Sequence, residues 1–375
     1  MRIDPARPNI IMVLIDSLRY DFVKAMPFLG QLIGEGVYFN RMYSYAPYTR
    51  ASGHALLSGM YGTRSGMRSW RASWFKGHRI ITLAEYLRNV GYRTYADFSY
   101  ILDWPPHGFD IITTFKSYEY TKRMFERHGV LLSRIYEGGQ DKSPFFLFLD
   151  YLNLHTRHVE LRQEGKTLTP EIYGAWAREV DVYLDRLFSH ATSLGFTQNT
   201  IWIILSDHGT GGWEREDEPF YGVYLYDYTI RVPCVIWGMG ERGRFDDCVR
   251  TVDIQPTIMD LLGIDPWESE RLIPMNGESL LPIIRGKEKG RRIAYFETHS
   301  PEWGPWKSER PNVFGATDGK WKFILTPTDS YVLDNEDKSN EWGGNMELIE
   351  EVERRRREGE EYASRYFGSG GRQTV

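Results

Sequence analysis

Three side chains that can bind a metal ion stand at the ends of apolar runs. Asp207 and His208 follow the run 201–205 after one serine, and Asp16 directly follows the run 10–15. Such runs are typical of strands buried on both faces of a parallel sheet, and ligands bind at the carboxyl ends of these strands. Because two carboxylates and an imidazole can hold a divalent ion, we predict all three residues as metal ligands. The alternative is that Asp16 and Asp207 only cap the helices that follow.

A hydroxyl and a second histidine could complete this chemistry. Thr49 follows Pro47 and precedes a predicted helix over 52–58, so it lies near a helix N-terminus, which favours an anion. A metal ion would lower the pKa of its hydroxyl, so we predict Thr49 as fourth metal ligand and as catalytic nucleophile. His155 follows a third apolar run, 145–149, and is predicted to donate a proton to the leaving group or to contact the substrate. An ordinary loop histidine is the alternative for His155.

The elements that must position these residues alternate along the chain. Apolar runs alternate with amphipathic stretches as far as residue 286. This pattern predicts an α/β protein with a large doubly wound, mostly parallel sheet flanked by helices. The pattern then changes to short strands and a charged helix, at 293–297, 313–316, 320–325 and 347–366. We therefore predict a catalytic domain over residues 1–290 and a small C-terminal α+β subdomain over residues 291–375.

Charge and composition exclude some classes of protein. The formal net charge of −5 argues against a nucleic-acid binder that works through bulk positive charge. No apolar run approaches the length of a membrane span, and the polar first eight residues are unlike a signal peptide. We therefore expect a cytoplasmic protein. The sequence leaves its oligomeric state open.

At these residues the sequence resembles the sulfatase family of the alkaline phosphatase superfamily. The segment 49–59 is similar to the family's nucleophile motif C/S/T-x-P-S-x-x-x-L-L-T-G, and 206–209 resembles its second metal strand. The matching segments keep the family's order, at 9–19, 49–59, 153–155, 206–209, 226–233, 253–257 and 277–282. The resemblance implies a sulfatase-like fold and metal-assisted hydrolysis of an ester.

Two departures from the family pattern concern the nucleophile and the anion. Thr49 stands where sulfatases carry a cysteine or serine that is oxidised to formylglycine, an aldehyde that threonine cannot give. Gly53 replaces an arginine of the family motif. Arg50 or Arg64 would therefore have to bind the anion.

Other departures concern the metal. Ser17 replaces the second aspartate of an Asp pair, and Tyr221 replaces a histidine or lysine. Because the predicted ligands include the imidazole of His208, we expect one divalent ion, with Zn, Mn or Fe favoured over Ca. The residues available for a second ion do not have the spacing of related phosphoesterases: Asp150, His155, His158 and His299.

Together these features predict a metal-dependent hydrolase of phosphate esters, specifically phosphodiesters or phosphonate monoesters. Thr49 would form a covalent phospho-enzyme, and the substrate would be a small-molecule or glycan ester. Three alternatives stay open. They are a sulfatase that uses Thr49 without an aldehyde, a phosphoryl-group transferase to an alcohol acceptor, and a catalytically inactive binding protein.

Overall fold

A nine-stranded mixed sheet forms the centre of the protein. The computed structural model describes residues 8–69, 79–99, 103–114, 123–138, 143–218, 220–267, 272–289, 292–299, 305–306, 308, 311–334 and 346–362. Eight strands follow one another across the sheet in the order β4 (Ile111–Thr114), β3 (Arg93–Phe98), β5 (Phe145–Tyr151), β1 (Asn9–Ile15), β6 (Thr200–Leu205), β8 (Cys234–Trp237), β2 (Val37–Tyr43) and β7 (Arg231–Val232). The ninth strand, β9 (Gly243–Arg250), pairs with β2.

One part of this sheet is entirely parallel, and the other part is mixed. From β4 to β6 all neighbours pair in parallel. Strand β8 then runs antiparallel to both β6 and β2. The prediction of an α/β protein with a large, mostly parallel sheet flanked by helices is therefore confirmed.

Helices cover both faces of the sheet because successive side chains of a strand point to opposite faces. The side chains at 11, 13 and 15 of β1 pack against three helices, α1 (Pro27–Glu35), α5 (Met124–Gly138) and α7 (Pro170–Ser193). Those at 10, 12 and 14 pack on the other face with α2 (Thr49–Ser58), α4 (Leu83–Asn89), α9 (Ile254–Leu261) and α10 (Leu281–Ile284). The six side chains at 10–15 are fully buried, so β1 is the central strand that the apolar run predicts.

Shorter elements connect these layers. They are 3-10 helices at Tyr20–Ala25 and Thr251–Asp253, and the helices α3 (Gly62–Ser65), α6 (Asn153–Gln163) and α8 (Asp227–Ile230). Helix α7 begins at Pro170 because proline suits the first helical position and the Thr169 hydroxyl accepts a hydrogen bond from the Ile172 N–H. Within the described ranges, no helix has the length and apolar character that a membrane crossing requires.

A second, smaller sheet follows near the C-terminus. Four antiparallel strands lie in chain order: β10 (Ala294–Thr298), β11 (Val313–Thr317), β12 (Trp321–Leu325) and β13 (Ser330–Asp334). Helix α11 (Met346–Tyr362) packs its apolar side chains against this sheet. The predicted antiparallel C-terminal sheet is thus confirmed. The predicted domain boundary at residues 290 and 291 lies outside the described residues and stays a prediction.

Candidate active site

The carboxyl ends of two neighbouring strands bring three predicted ligands together. Strands β1 and β6 pair in parallel with Leu14 opposite Leu205, so Asp16 and the pair Asp207–His208 leave the sheet side by side. All three are buried, and one ligand atom from each lies within 4.8 Å of the others. Among the described residues, this is the only such group of three or more acidic, histidine or cysteine side chains.

Thr49 lies directly beside this group, at the first residue of α2. Its Oγ1 is 3.2 Å from Asp16 Oδ2 and 3.3 Å from His208 Nε2. Thr49 is buried, with 7% of the residue exposed, and at 3.2 Å its hydroxyl is in direct contact with the carboxylate. The structure therefore gathers all four predicted metal ligands at one place.

The ring of His208 is oriented by the backbone. Its Nδ1 lies 2.6 Å from the Gly209 carbonyl oxygen. Because a carbonyl can only accept a hydrogen bond, Nδ1 carries the proton and Nε2 is left with a free lone pair. This Nε2 lies 3.7 Å from Asp16 Oδ1 and 3.5 Å from Asp207 Oδ2. Burial lowers the pKa of His208, which favours the neutral ring that binds metal ions.

Asp207 supplies a direct test of whether a cation fits here. Both of its carboxylate oxygens are buried and have no hydrogen bond of good geometry among the residues described, although the Thr49 hydroxyl and the His208 N–H lie near enough to lower its pKa. Burial raises its pKa well above the usual range, and the negative charge of Asp16 raises it further. A buried, unpaired carboxylate beside a second carboxylate and an imidazole lone pair is costly unless a cation sits between them. These residues therefore fit a divalent metal ion.

A strained turn holds Asp16 at the end of β1. Ser17 adopts a left-handed conformation with φ of 65°, which is unfavourable for a residue other than glycine. Its hydroxyl donates to Asp16 Oδ1 at 2.6 Å. The buried Tyr173 hydroxyl donates to the Ser17 carbonyl at 2.7 Å and accepts from the Arg19 N–H at 2.9 Å. Ser17, at the position of the missing second aspartate, thus orients Asp16 by a hydrogen bond.

His155 is placed by α6, whose first turn follows β5 immediately. Its Nδ1 lies 3.8 Å from Asp16 Oδ1 and 3.3 Å from the Tyr221 hydroxyl. The ring of Tyr221 lies 4.5 Å from the ring of His208, between centroids. At 15% side-chain exposure, His155 is open to solvent on one side, so a substrate could reach it.

The two predicted anion-binding arginines have different positions. Arg50 follows Thr49 in α2 and donates from Nε to Asp103 Oδ1 at 3.2 Å. Arg64 instead donates to Glu358 of α11 at 2.6 Å and to the carbonyls of residues 274 and 275. The structure directs Arg64 towards α11 and does not bring it to the ligand group.

The candidates for a second metal ion also have other partners. Asp150 Oδ2 accepts hydrogen bonds from Ser99 and from the Trp104 indole, and His158 Nδ1 lies 3.1 Å from the Thr210 hydroxyl. Asp103, which pairs with Arg50, is a site residue that the sequence does not indicate. No local motif marks that residue, since its partner is 53 positions away.

Comparison with known proteins identifies the family. The family model described as Sulfatase matches residues 8–264, well over half of the chain. The chain therefore belongs to the sulfatase family of hydrolases. Arylsulfatase K of Bos taurus is 30% identical over 199 residues, which cover 49% of this chain and 34% of that protein. The chain thus spans about a third of the length of the curated arylsulfatases that it matches.

Two solved structures show the same fold. The phosphonate monoester hydrolase of Agrobacterium radiobacter matches with a TM-score of 0.72 and 16% identity, over 94% of this chain and 96% of that one. A protein in complex with its substrate D-glucosamine-2-N,6-O-disulfate matches with a TM-score of 0.70 and 15% identity, over 95% and 98% of the two chains. At these identities, the likeness shows the fold alone.

Proposed function

We propose that this protein is a metal-dependent hydrolase of phosphodiesters or phosphonate monoesters, with Thr49 as nucleophile. The observation that carries the proposal is the position of Thr49 Oγ1, 3.2 Å from a carboxylate oxygen of Asp16 and 3.3 Å from the unprotonated Nε2 of His208. Both neighbours accept hydrogen bonds, so each can draw the hydroxyl proton away from the oxygen. A hydroxyl in these surroundings is prepared for attack on an electrophilic centre.

The metal ion has a defined place in this proposal. Asp16, Thr49, Asp207 and His208 would hold it, and the imidazole nitrogen favours Zn, Mn or Fe over Ca. When bound, a divalent ion lowers the pKa of the Thr49 hydroxyl and offsets the negative charge that develops on the ester.

The residues of the chain account for the movement of protons and bonds. Asp16 accepts the Thr49 proton while Oγ1 forms a bond to phosphorus and the bond to the leaving-group oxygen breaks. His155, beside Asp16 and Tyr221, gives a proton to that oxygen. Water then gives a proton to His155 as its oxygen attacks phosphorus, the phosphorus–Oγ1 bond breaks, and Asp16 returns its proton to Oγ1. An alcohol in place of this water would make the protein a phosphoryl-group transferase.

Sulfate esters are a second candidate class of substrate. The match to the sulfatase family and to arylsulfatase K favours them. Hydrolysis of a sulfate ester here would have to use the Thr49 hydroxyl itself, because threonine does not give formylglycine. A small-molecule or glycan ester is consistent with the solved complex in which a sulfated glucosamine is the substrate of that protein.

The role of Thr49 can be tested with three variants. Thr49→Ala is expected to lose most turnover of bis(p-nitrophenyl) phosphate and of p-nitrophenyl phenylphosphonate, whereas Thr49→Ser keeps measurable turnover because the hydroxyl remains. Thr63→Ala is a matched control. This buried threonine donates a hydrogen bond to Glu358, so its replacement should leave turnover unchanged. Mass spectrometry of the quenched wild type should find one phosphoryl group on the peptide with Thr49.

A panel of substrates decides between the candidate activities. It comprises p-nitrophenyl mono- and diesters of phosphate, a phosphonate ester and p-nitrophenyl sulfate, assayed alongside elemental analysis of the purified protein. Full diesterase activity in Thr49→Ala would refute the covalent mechanism. Turnover of the sulfate alone would replace the phosphoester proposal by the second candidate, and no turnover with metal bound would favour a binding protein.

A further inference from the structure

An ion pair stands next to the proposed nucleophile. Arg50 is the residue after Thr49, and its Nε donates to Asp103 Oδ1 at 3.2 Å. The side chains of Arg50 and Asp103 are 25% and 24% exposed, so both are reachable from solvent. The pair is therefore accessible, unlike the buried ligand group, and would form the wall next to Thr49 when an ester binds there.

Asp103 lies within the electrostatic reach of the site residues. Burial raises its pKa, the positive charge of Arg50 lowers it, and the negative charge of Asp16 raises it again. The charge of His155 lowers the pKa of Asp103. An anion bound beside Thr49 would experience the same carboxylate, which opposes it while Arg50 attracts it.

The other arginines of this segment are also paired, but with acids of the C-terminal elements. Arg64 pairs with Glu358 at 2.6 Å. Arg68 makes two hydrogen bonds of 2.7 Å to Glu297. Arg50 is therefore distinguished by its place beside Thr49, and Asp103 offsets its charge there.

We propose that Asp103 sets the charge preference of the site. With two carboxylates offset by a divalent ion and Arg50 offset by Asp103, the wall next to Thr49 is close to neutral. Such a site accepts an ester with one negative charge, as in phosphodiesters, phosphonate monoesters and sulfate esters. A phosphate monoester carries nearly two charges above pH 7, and its greater desolvation cost is not compensated. This inference rests on the proposed function, because it places the ester beside Thr49.

Replacing Asp103 by asparagine tests the inference. Asp103→Asn keeps an oxygen that can accept from Arg50 but removes the negative charge. The quantity to measure is the ratio of kcat/KM for p-nitrophenyl phosphate to kcat/KM for bis(p-nitrophenyl) phosphate at pH 8. We expect this ratio to rise about tenfold, which is the effect of removing one partly exposed negative charge near a bound anion. Asp103→Glu keeps the charge and should keep the wild-type ratio. The double variant Arg50→Gln/Asp103→Asn removes both charges and should return the ratio towards that of the wild type.

Glu358→Gln is the matched control. This variant also removes the negative charge that pairs with an arginine, in this case Arg64. Because Arg64 points to α11, the ratio of the kcat/KM values of the monoester and the diester should stay unchanged. If Asp103→Asn leaves the ratio unchanged while the diester is still hydrolysed, the inference is wrong and the proposed function stands. A rise in Glu358→Gln equal to that in Asp103→Asn would also overturn it.

Measuring anion binding distinguishes a failure of this inference from a failure of the proposed function. If the wild type hydrolyses no ester, calorimetry at pH 8 with inorganic phosphate and dimethyl phosphate compares a dianion with a monoanion without turnover. Asp103→Asn should then improve phosphate binding about tenfold relative to dimethyl phosphate. Equal changes for both anions, or no binding of either anion to either protein, would overturn the inference.

Discussion

Replacing Asp150 by asparagine is expected to change the stability of the protein in a pH-dependent way that increasingly favours the variant as the pH rises. Asp150 is completely buried near the end of β5, where its Oδ2 accepts from the Ser99 N–H and the Trp104 indole N–H, each at 3.0 Å. Burial raises its pKa from the ordinary 3.8 to about 7, and the charge of Asp16 acts in the same direction. The folded protein therefore binds this proton more tightly than the unfolded chain does.

The size of the effect follows from the two pKa values. At 1.36 kcal/mol for each pKa unit, the rise from 3.8 to about 7 corresponds to about 4 kcal/mol. The stability that this group contributes is complete below pH 3.8 and is lost as the pH rises through 7. About 2.5 kcal/mol of the loss falls between pH 5 and pH 8. Asparagine stays neutral, so the variant does not share this loss.

Asparagine brings a cost of its own, but that cost does not depend on pH. Its oxygen can accept the same hydrogen bonds, whereas its NH₂ group takes the place of Oδ1, which has no hydrogen-bond partner within the described structure. An unpaired buried NH₂ group costs about 1–3 kcal/mol at every pH. The informative quantity is therefore the change with pH in the difference between the two unfolding free energies.

Urea unfolding of the wild type and Asp150→Asn at pH 5 and pH 8, at one fixed metal concentration, measures this quantity. We expect the difference to move by about 2.5 kcal/mol in favour of the variant at pH 8. A difference that is the same at both pH values would refute the reasoning. Loss of bound metal in the variant would show that Asp150 takes part in the metal site, which its contacts with Ser99 and Trp104 do not predict.

Two further predictions concern the metal site and an arginine. Asp207→Ala should remove the metal ion, because one of two carboxylate ligands is lost; elemental analysis that still finds stoichiometric metal would place the ion elsewhere. Arg64→Gln should leave diester turnover within about twofold but lower the melting temperature, because it breaks the half-buried pair with Glu358. A large loss of kcat in Arg64→Gln with an unchanged melting temperature would instead support the anion-binding role predicted for it.

The sequence predicts that Asp16, Asp207 and His208 lie close together, because the relevant information is local. Apolar runs that end at Asp16 and Asp207 mark two buried parallel strands, and parallel strands place their carboxyl ends at one edge. The pairing of β1 with β6 then brings the two acids together. The sequence also predicts Thr49 near a helix N-terminus, and Thr49 is the first residue of α2.

Other features depend on partners that are distant in sequence. The helix that carries His155 has charged residues on most of its faces, so its apolar periodicity is weak. Strand β9 has polar residues over much of its length and becomes a strand by pairing with β2 at the margin of the sheet. The pairing of Arg64 with Glu358 joins residues 294 positions apart. No pattern within a window of sequence indicates contacts of this kind.

The C-terminal sheet takes part in holding the segment that carries Thr49. Glu297 of β10 is fully buried and accepts hydrogen bonds from the hydroxyls of Tyr45 and Tyr295, at 2.5 and 2.7 Å, as well as from Arg68. A buried carboxylate is tolerated when it is paired and its oxygens are hydrogen-bonded, and removal of one partner is then strongly destabilising. Tyr45 lies four residues before Thr49, and Arg68 follows α2 in the chain. Glu297 therefore binds the segments before and after this helix. The position of Thr49 therefore depends on both sheets, although the four predicted metal ligands come from α2 and from the carboxyl ends of two strands of the large sheet.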